Sequence, residues 1–234
     1  MSTVHGYKKF FTLIELLAVI AVGILLTALA VPAFRSLTRS RQIDVCAANI
    51  KNALERARVR AVNERCYVAV ILPNGEVIDS LKRYRLGGCR LAYAEKTVSG
   101  DYTFSQWLDS EWREMPAGVL LSQVKSSEFD RDGGDITGCT SKITDALAGA
   151  DACMNQISGI GPASSPGAGE YCALIFTPQG SAVGSGKCHI LISEALVVGD
   201  NIAYPSAVTV GPGRSANNVA LKLNKITGIV EYDK

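Results

Sequence analysis

The chain reads as an α+β protein, a long N-terminal helix packed on an antiparallel β-sheet domain. Three observations predict this. Leu16 to Val31 contains no charged residue. Beyond Pro32, the residues Ile43, Ala47, Ile50, Leu54, Ala57 and Ala61 recur at alternating steps of four and three, which is one face of an amphipathic helix. The remainder carries short apolar, β-branched runs between turn residues, and 22 of the 234 residues are Gly, as suits antiparallel strands joined by turns.

The apolar segment begins at Phe11 and, with Ile14 and Glu15 in front of the uncharged run, is about 20 residues long, enough to span a bilayer as a helix. Glu15 is the exception within it. A carboxylate at bilayer depth costs roughly 2.5–3.5 kcal/mol, so its presence there calls for a function. Pro32 removes one helical hydrogen bond and is expected to kink or loosen the helix. If helical from Phe11 to Asn63, the segment would be about 80 Å long. Its first half would suit a membrane and its second half would lie against the domain.

Composition excludes several classes. A net charge of +2 with only 20% charged residues gives no global nucleic-acid signature. The seven cysteines (46, 66, 89, 139, 153, 172 and 188) include no CxxC pair, which argues against a zinc ribbon or thioredoxin-like motif. An odd count leaves one thiol over. No GxSxG, Gly-rich phosphate loop or HExxH occurs. Beyond His5, the one histidine is His189, placed within the strand-like run Cys188-His189-Ile190-Leu191-Ile192, and it reads as a strand residue rather than a catalytic base. The chain is therefore expected not to be an enzyme and to need no cofactor.

Strands are expected at Cys66–Leu72 and, after a turn at Pro73-Asn74-Gly75, at Glu76–Tyr84. Further strands are expected at Tyr171–Thr177, Lys187–Ser193, Asn218–Leu223 and Ile229–Tyr232, with turns at Pro178-Gln179-Gly180 and Thr227-Gly228. The stretch from about 89 to 170 is less regular and reads as an insertion.

The run Lys8-Lys9-Phe10-Phe11-Thr12-Leu13-Ile14-Glu15-Leu16, followed by the apolar segment and Pro32, resembles the N-terminus of type IV pilins and type II secretion pseudopilins. The tail CALIFTPQGSA…CHILIS…NNVALKLNKITGIVEY and the helix stretch LERARVRAV are similar to those of H-type (FimT-like) minor subunits of that family. The resemblance implies a leader of residues 1–10, cut between Phe10 and Phe11 by a prepilin peptidase that also methylates the new N-terminus at Phe11. The family has Gly before the cut, where this chain has Phe10. It further implies a membrane half of the helix at 11–34, an amphipathic half at 35–64 and a β domain at 65–234. Glu15 and Pro32 stand where the family has its assembly Glu and helix-loosening Pro. In a fibre, Glu15 would be neutralised by the N-terminal ammonium of a neighbouring subunit.

The implied function is a structural minor subunit of a type II secretion or type IV pilus-like fibre. Its partners would be other pilin-like subunits, the peptidase/methyltransferase, an inner-membrane assembly platform and the membrane itself. The implied location is the inner membrane, single-pass, with the C-terminal domain in the periplasm. Lys8 and Lys9 lie on one side of the segment and Arg35, Arg39 and Arg41 on the other, so orientation follows from the resemblance and not from charge. The alternative is a FimT-like minor pilin binding DNA or a surface ligand. Eight basic against three acidic residues between Arg35 and Arg65 suit nucleic acid or anionic lipid, and equally a solvated helix face.

Two further candidates come from local pattern. Cys172 and Cys188 are symmetric about Gly180, so a hairpin turning there would set them opposite each other within disulfide range. The alternative is two buried thiols in another register. Cys139–Cys153 could close a loop, and Cys46 could reach Cys66 or stay buried. Asp130, Asp132 and Asp135 form an acidic Gly-containing loop with calcium-type ligands, but Gly134 and the lack of a Glu at the twelfth position break the EF-hand pattern. A solvated turn is the simpler reading.

Overall fold

A computed structural model describes residues 13–73, 85–127, 153–160, 171–184, 186–204 and 218–233, the side chains of 29–40 excepted. Its elements in chain order are α1 (Leu13–Glu64), β1 (Tyr67–Leu72), β2 (Gly88–Lys96), β3 (Tyr102–Trp107), β4 (Arg113–Glu114), β5 (Val119–Lys125), β6 (Asn155–Ser158), β7 (Tyr171–Phe176), β8 (Lys187–Glu194), β9 (Leu196–Val198), β10 (Asn201–Ala203), β11 (Asn218–Asn224) and β12 (Ile229–Asp233). The chain separates into two compact units, residues 1–41 and 42–234.

In the larger unit the helix behaves as its periodicity predicts. Ile43, Ala47, Ile50, Leu54, Ala57 and Ala61 are all buried, joined by Cys46 and Ala53. The helix stops because Arg65 takes a left-handed conformation, φ 53°. The Cys66 amide then donates back to the Ala61 carbonyl at 3.2 Å, a closure of the Schellman type.

The strands form two sheets. In the first, β1 pairs antiparallel with both β2 and β7. Next, β7 pairs with β6, β6 runs parallel to β3, and β3 pairs with β2. These pairings close into a five-stranded ring, with β4 added on β2. Ala69, Ile71, Ala92, Ala94, Tyr102, Ile157, Tyr171, Ala173 and Ile175 form one buried cluster on one face of these strands. The alternation of Ala with Ile and Tyr suits the narrow interior of so small a barrel. The opposite face, with Val68, Val70, Leu72, Leu91, Leu174 and Phe176, joins the helix in a second cluster. This explains why β1 and β7 read as unbroken apolar runs rather than alternating ones: each is buried on both sides.

The second sheet has the order β12-β11-β8-β5, all antiparallel. Its Leu121, Val124, Cys188, Ile190, Ile192, Leu221, Leu223 and Val230 belong to the same cluster as the helix face. A short β9–β10 ribbon stands apart from both sheets.

Several expectations are corrected. The expected strand Glu76–Tyr84 lies outside the described residues, and β1 pairs with β2 and β7 on its two edges. The described parts of the 89–170 segment contribute strands: β2, β3 and β6 build the ring, and β5 is an edge strand of the second sheet. Of the expected C-terminal strands, β7 belongs to the ring, and β8, β11 and β12 belong to the second sheet. Pro32 lies within the helix as assigned, and its side chain is outside the described residues.

Two turns press on the helix. Gly180 and Gly228 have φ +83° and +66°. A Cβ on Gly228 would stand 2.1 Å from the Gly180 carbonyl oxygen and 3.0 Å from Cδ of Arg58. The Gly180 carbonyl in turn accepts from Arg58 Nε at 3.1 Å. Gly228→Ala therefore combines left-handed strain of about 1–2 kcal/mol with overpacking of about 1–3 kcal/mol, and urea denaturation should show a loss in that combined range. Arg65→Gly should act oppositely, removing strain at the helix end and raising stability by up to about 1 kcal/mol. An unchanged or lowered urea midpoint for Arg65→Gly would contradict the strain argument.

Candidate functional site

The smaller unit carries the candidate assembly surface. From Leu13 to Leu26, ten large apolar residues of α1 are exposed: Leu13, Ile14, Leu16, Leu17, Val19, Ile20, Val22, Ile24, Leu25 and Leu26. Leu13 is 79% exposed and Val19 68%. Consecutive positions point in different directions around a helix, so the surface is apolar all round. A helix of that kind is stable only in an apolar environment. Gly23 meets no other atom within 4 Å of where a Cβ would be, leaving a notch of the kind that lets helices approach closely. The hydroxyl of Thr27 is turned inward, donating to the Gly23 carbonyl at 2.7 Å, so it does not break the apolar surface. Glu15 is exposed in the first described turn, where a carboxylate suits the positive end of the helix dipole. Among the described residues no helix is long and apolar enough to cross a membrane. The cleavage and methylation positions Phe10 and Phe11 lie outside the described residues.

The basic residues of the second helical half are largely occupied by their own domain. Arg56 Nη2 donates to Asp109 Oδ1 at 2.8 Å, and Asp109 is also 3.8 Å from Arg113. Arg58 holds the Gly180 turn. Arg60 pairs with Glu64. Lys51 lies 3.7 Å from Glu55 and 5.2 Å from the Tyr232 ring centre. Glu55 and Glu64 are i,i+4 neighbours on the helix itself, whereas Asp109, the Gly180 turn and Tyr232 are distant along the chain and were not legible in the basic stretch.

The other sequence candidates resolve differently. Cys172 and Cys188 are not opposed. The turn at Thr177–Gly180 forms, with the Gly180 amide donating to the Thr177 carbonyl at 2.9 Å, but the hairpin lasts only for the Phe176–Ala182 bridge. The chain then crosses to the other sheet through Gly184 and Gly186, both at positive φ. Cys172 lies opposite Leu72 and Gln156, and Cys188 opposite Leu223. No disulfide joins them. Cys46 stays completely buried; burial, then the neighbouring Cys89, pushes its thiol up to about 12, and burial, then Asp109, pushes the Cys89 thiol up to about 12 against a smaller pull from Arg56. His189 is 1% exposed, with Nδ1 2.7 Å from Asp233 Oδ2, a buried pair within the second sheet. Asp130, Asp132 and Asp135 lie outside the described residues, as does Cys139. Among the described residues no cluster of three or more His, Cys, Asp or Glu is placed to hold a metal.

Where the helix ends, the Tyr93 hydroxyl and Arg60 both donate to the Glu64 carboxylate. The Tyr93 bond, then the Arg60 bond, lowers the Glu64 carboxyl below its usual value. With the folded value depressed, the stabilisation is present above the ordinary carboxylate range and is lost as pH falls through the lowered folded value. Tyr93→Phe should raise the Glu64 midpoint in a carboxyl NMR titration. An unmoved midpoint would remove the hydroxyl from the account.

No protein-family model and no curated protein matches the chain. Among solved structures it is similar to the type IV minor pilin FimU of Pseudomonas aeruginosa, at 14% identity and a TM-score of 0.40, over 85% of this chain and 92% of that one. At that level of similarity the likeness decides neither family nor function.

Proposed function

We propose that the chain is a structural subunit of a pilus-like fibre, in which residues 13–28 of α1 are the packing segment and the 42–234 unit is the displayed domain. The observation that carries this reading is the run of ten exposed apolar side chains on the first half of α1. Removing each from water contributes about 1.5–3 kcal/mol. A bilayer before assembly and a bundle of like helices afterwards are two environments that supply this, and exchange between them is what fibre growth from a membrane requires. The N-terminal motif around Glu15 supports the same reading. Within an apolar bundle Glu15 needs a positive partner, and the ammonium freed at Phe11 by removal of the leader meets that need while setting the step between subunits.

Within this class we favour a minor pseudopilin of a secretion-type fibre over a DNA-binding minor pilin. Arg56, Arg58, Arg60 and Lys51 are engaged by the chain's own groups, which leaves fewer cations to track a phosphate backbone. The inner membrane and periplasm are the compartments this reading requires, with the peptidase and the assembly platform as partners.

The test uses the full-length chain in its own cells, extracted in mild detergent. Wild type should co-purify with other pilin-like subunits. Glu15→Ala should reduce that recovery at least tenfold, with the circular dichroism of the β domain unchanged. Undiminished recovery of the variant would refute the role of Glu15.

A further inference from the structure

The thiols of Cys153 and Cys188 meet although neither sequence spacing nor strand register sets them opposite each other. Cys188 is the second residue of β8 and is fully buried, and Cys153, two residues before β6, is 4% exposed. The Cys153 thiol donates to the Lys187 carbonyl at 3.9 Å, which brings it beside the next residue of β8. There the two thiols are in hydrogen-bonding contact. Their strands belong to different sheets, β6 to the ring and β8 to the four-stranded sheet. Both residues line the cluster that joins those sheets through the helix.

We propose that Cys153 and Cys188 are a disulfide pair that forms in an oxidising environment and ties the ring to the second sheet. With a small-molecule disulfide such as oxidised glutathione as oxidant, one cysteine thiolate attacks a glutathione sulfur and expels one glutathione thiolate. The second cysteine thiolate then attacks the protein sulfur of the mixed disulfide and expels the other. Two electrons pass from the cysteines to glutathione, and the two thiol protons end on the two released glutathione molecules. The contact with Cys153 and burial raise the Cys188 thiol, while the neighbouring Lys225 charge pulls it down to a lesser degree. The thiolate is therefore scarce in the folded state, so oxidation should be slow on the native protein and faster in mild denaturant.

Cys46 and Cys89 serve as an internal control. They are also buried, and Cys89 raises the Cys46 thiol through charge alone, with no hydrogen bond between the two thiols.

The experiment takes the reduced full-length chain in detergent, equilibrates it with oxidised and reduced glutathione, and blocks remaining thiols before non-reducing peptide mapping. A peptide linking Cys153 to Cys188 is expected. The thermal midpoint should rise by several degrees over the reduced protein, a rise that Cys153→Ala abolishes and Cys46→Ala with Cys89→Ala preserves. Linkage of Cys139 to Cys153 or of Cys172 to Cys188, or complete alkylation of both Cys153 and Cys188 in folded protein at equilibrium, would overturn the pairing. These readouts do not depend on fibre assembly, so they succeed or fail separately from the Glu15 test.

Discussion

The domain depends on one packing constraint: a helix face of small residues is shared by two sheets. Ala47, Ala53, Ala57 and Ala61, with Cys46, are completely buried, and the cluster they join contains residues from the ring and from the four-stranded sheet alike. Larger side chains at these positions would hold the sheets away from the helix and open voids beneath Leu54 and Ile50. The helix is thus the common wall of the core rather than a lid on one sheet.

The turns on the helix follow from the same closeness. Arg58 reaches past the apolar face to the Gly180 carbonyl, and Gly228 lies against both. Little room is left there for a side chain, and the backbone takes angles that Gly adopts without strain. The polar contacts at this edge orient the turns, while the buried apolar area beneath supplies most of the cohesion.

The two halves of α1 make opposite use of the same secondary structure. From Gln42 onward one apolar face, from Ile43 to Ala61, is buried, and only Val45, Val59 and Val62 are left exposed among the helix's large apolar residues. From Leu13 to Leu26 they surround the helix and are exposed. A single chain with both patterns combines a segment that needs other molecules around it with a segment that completes its own domain. That contrast, more than any cluster of reactive groups, is the functional signal of the molecule.

By itself the sequence determined the helix, the buried positions of its second half, five of the twelve described strands (β1, β7, β8, β11 and β12) and the turns at Gly180 and Gly228. These are local matters of periodicity and backbone preference, carried by residues close together along the chain. Tertiary structure decided which strands share a sheet. It sent β8 away from β7, placed β5 at the edge of the C-terminal sheet, and closed β1, β7, β6, β3 and β2 into a ring. It also brought Cys153 to Cys188 and Asp109 to Arg56. Such pairings depend on side-chain fit across a three-dimensional core, and an apolar run buried on both faces looks the same in sequence whichever neighbours it has.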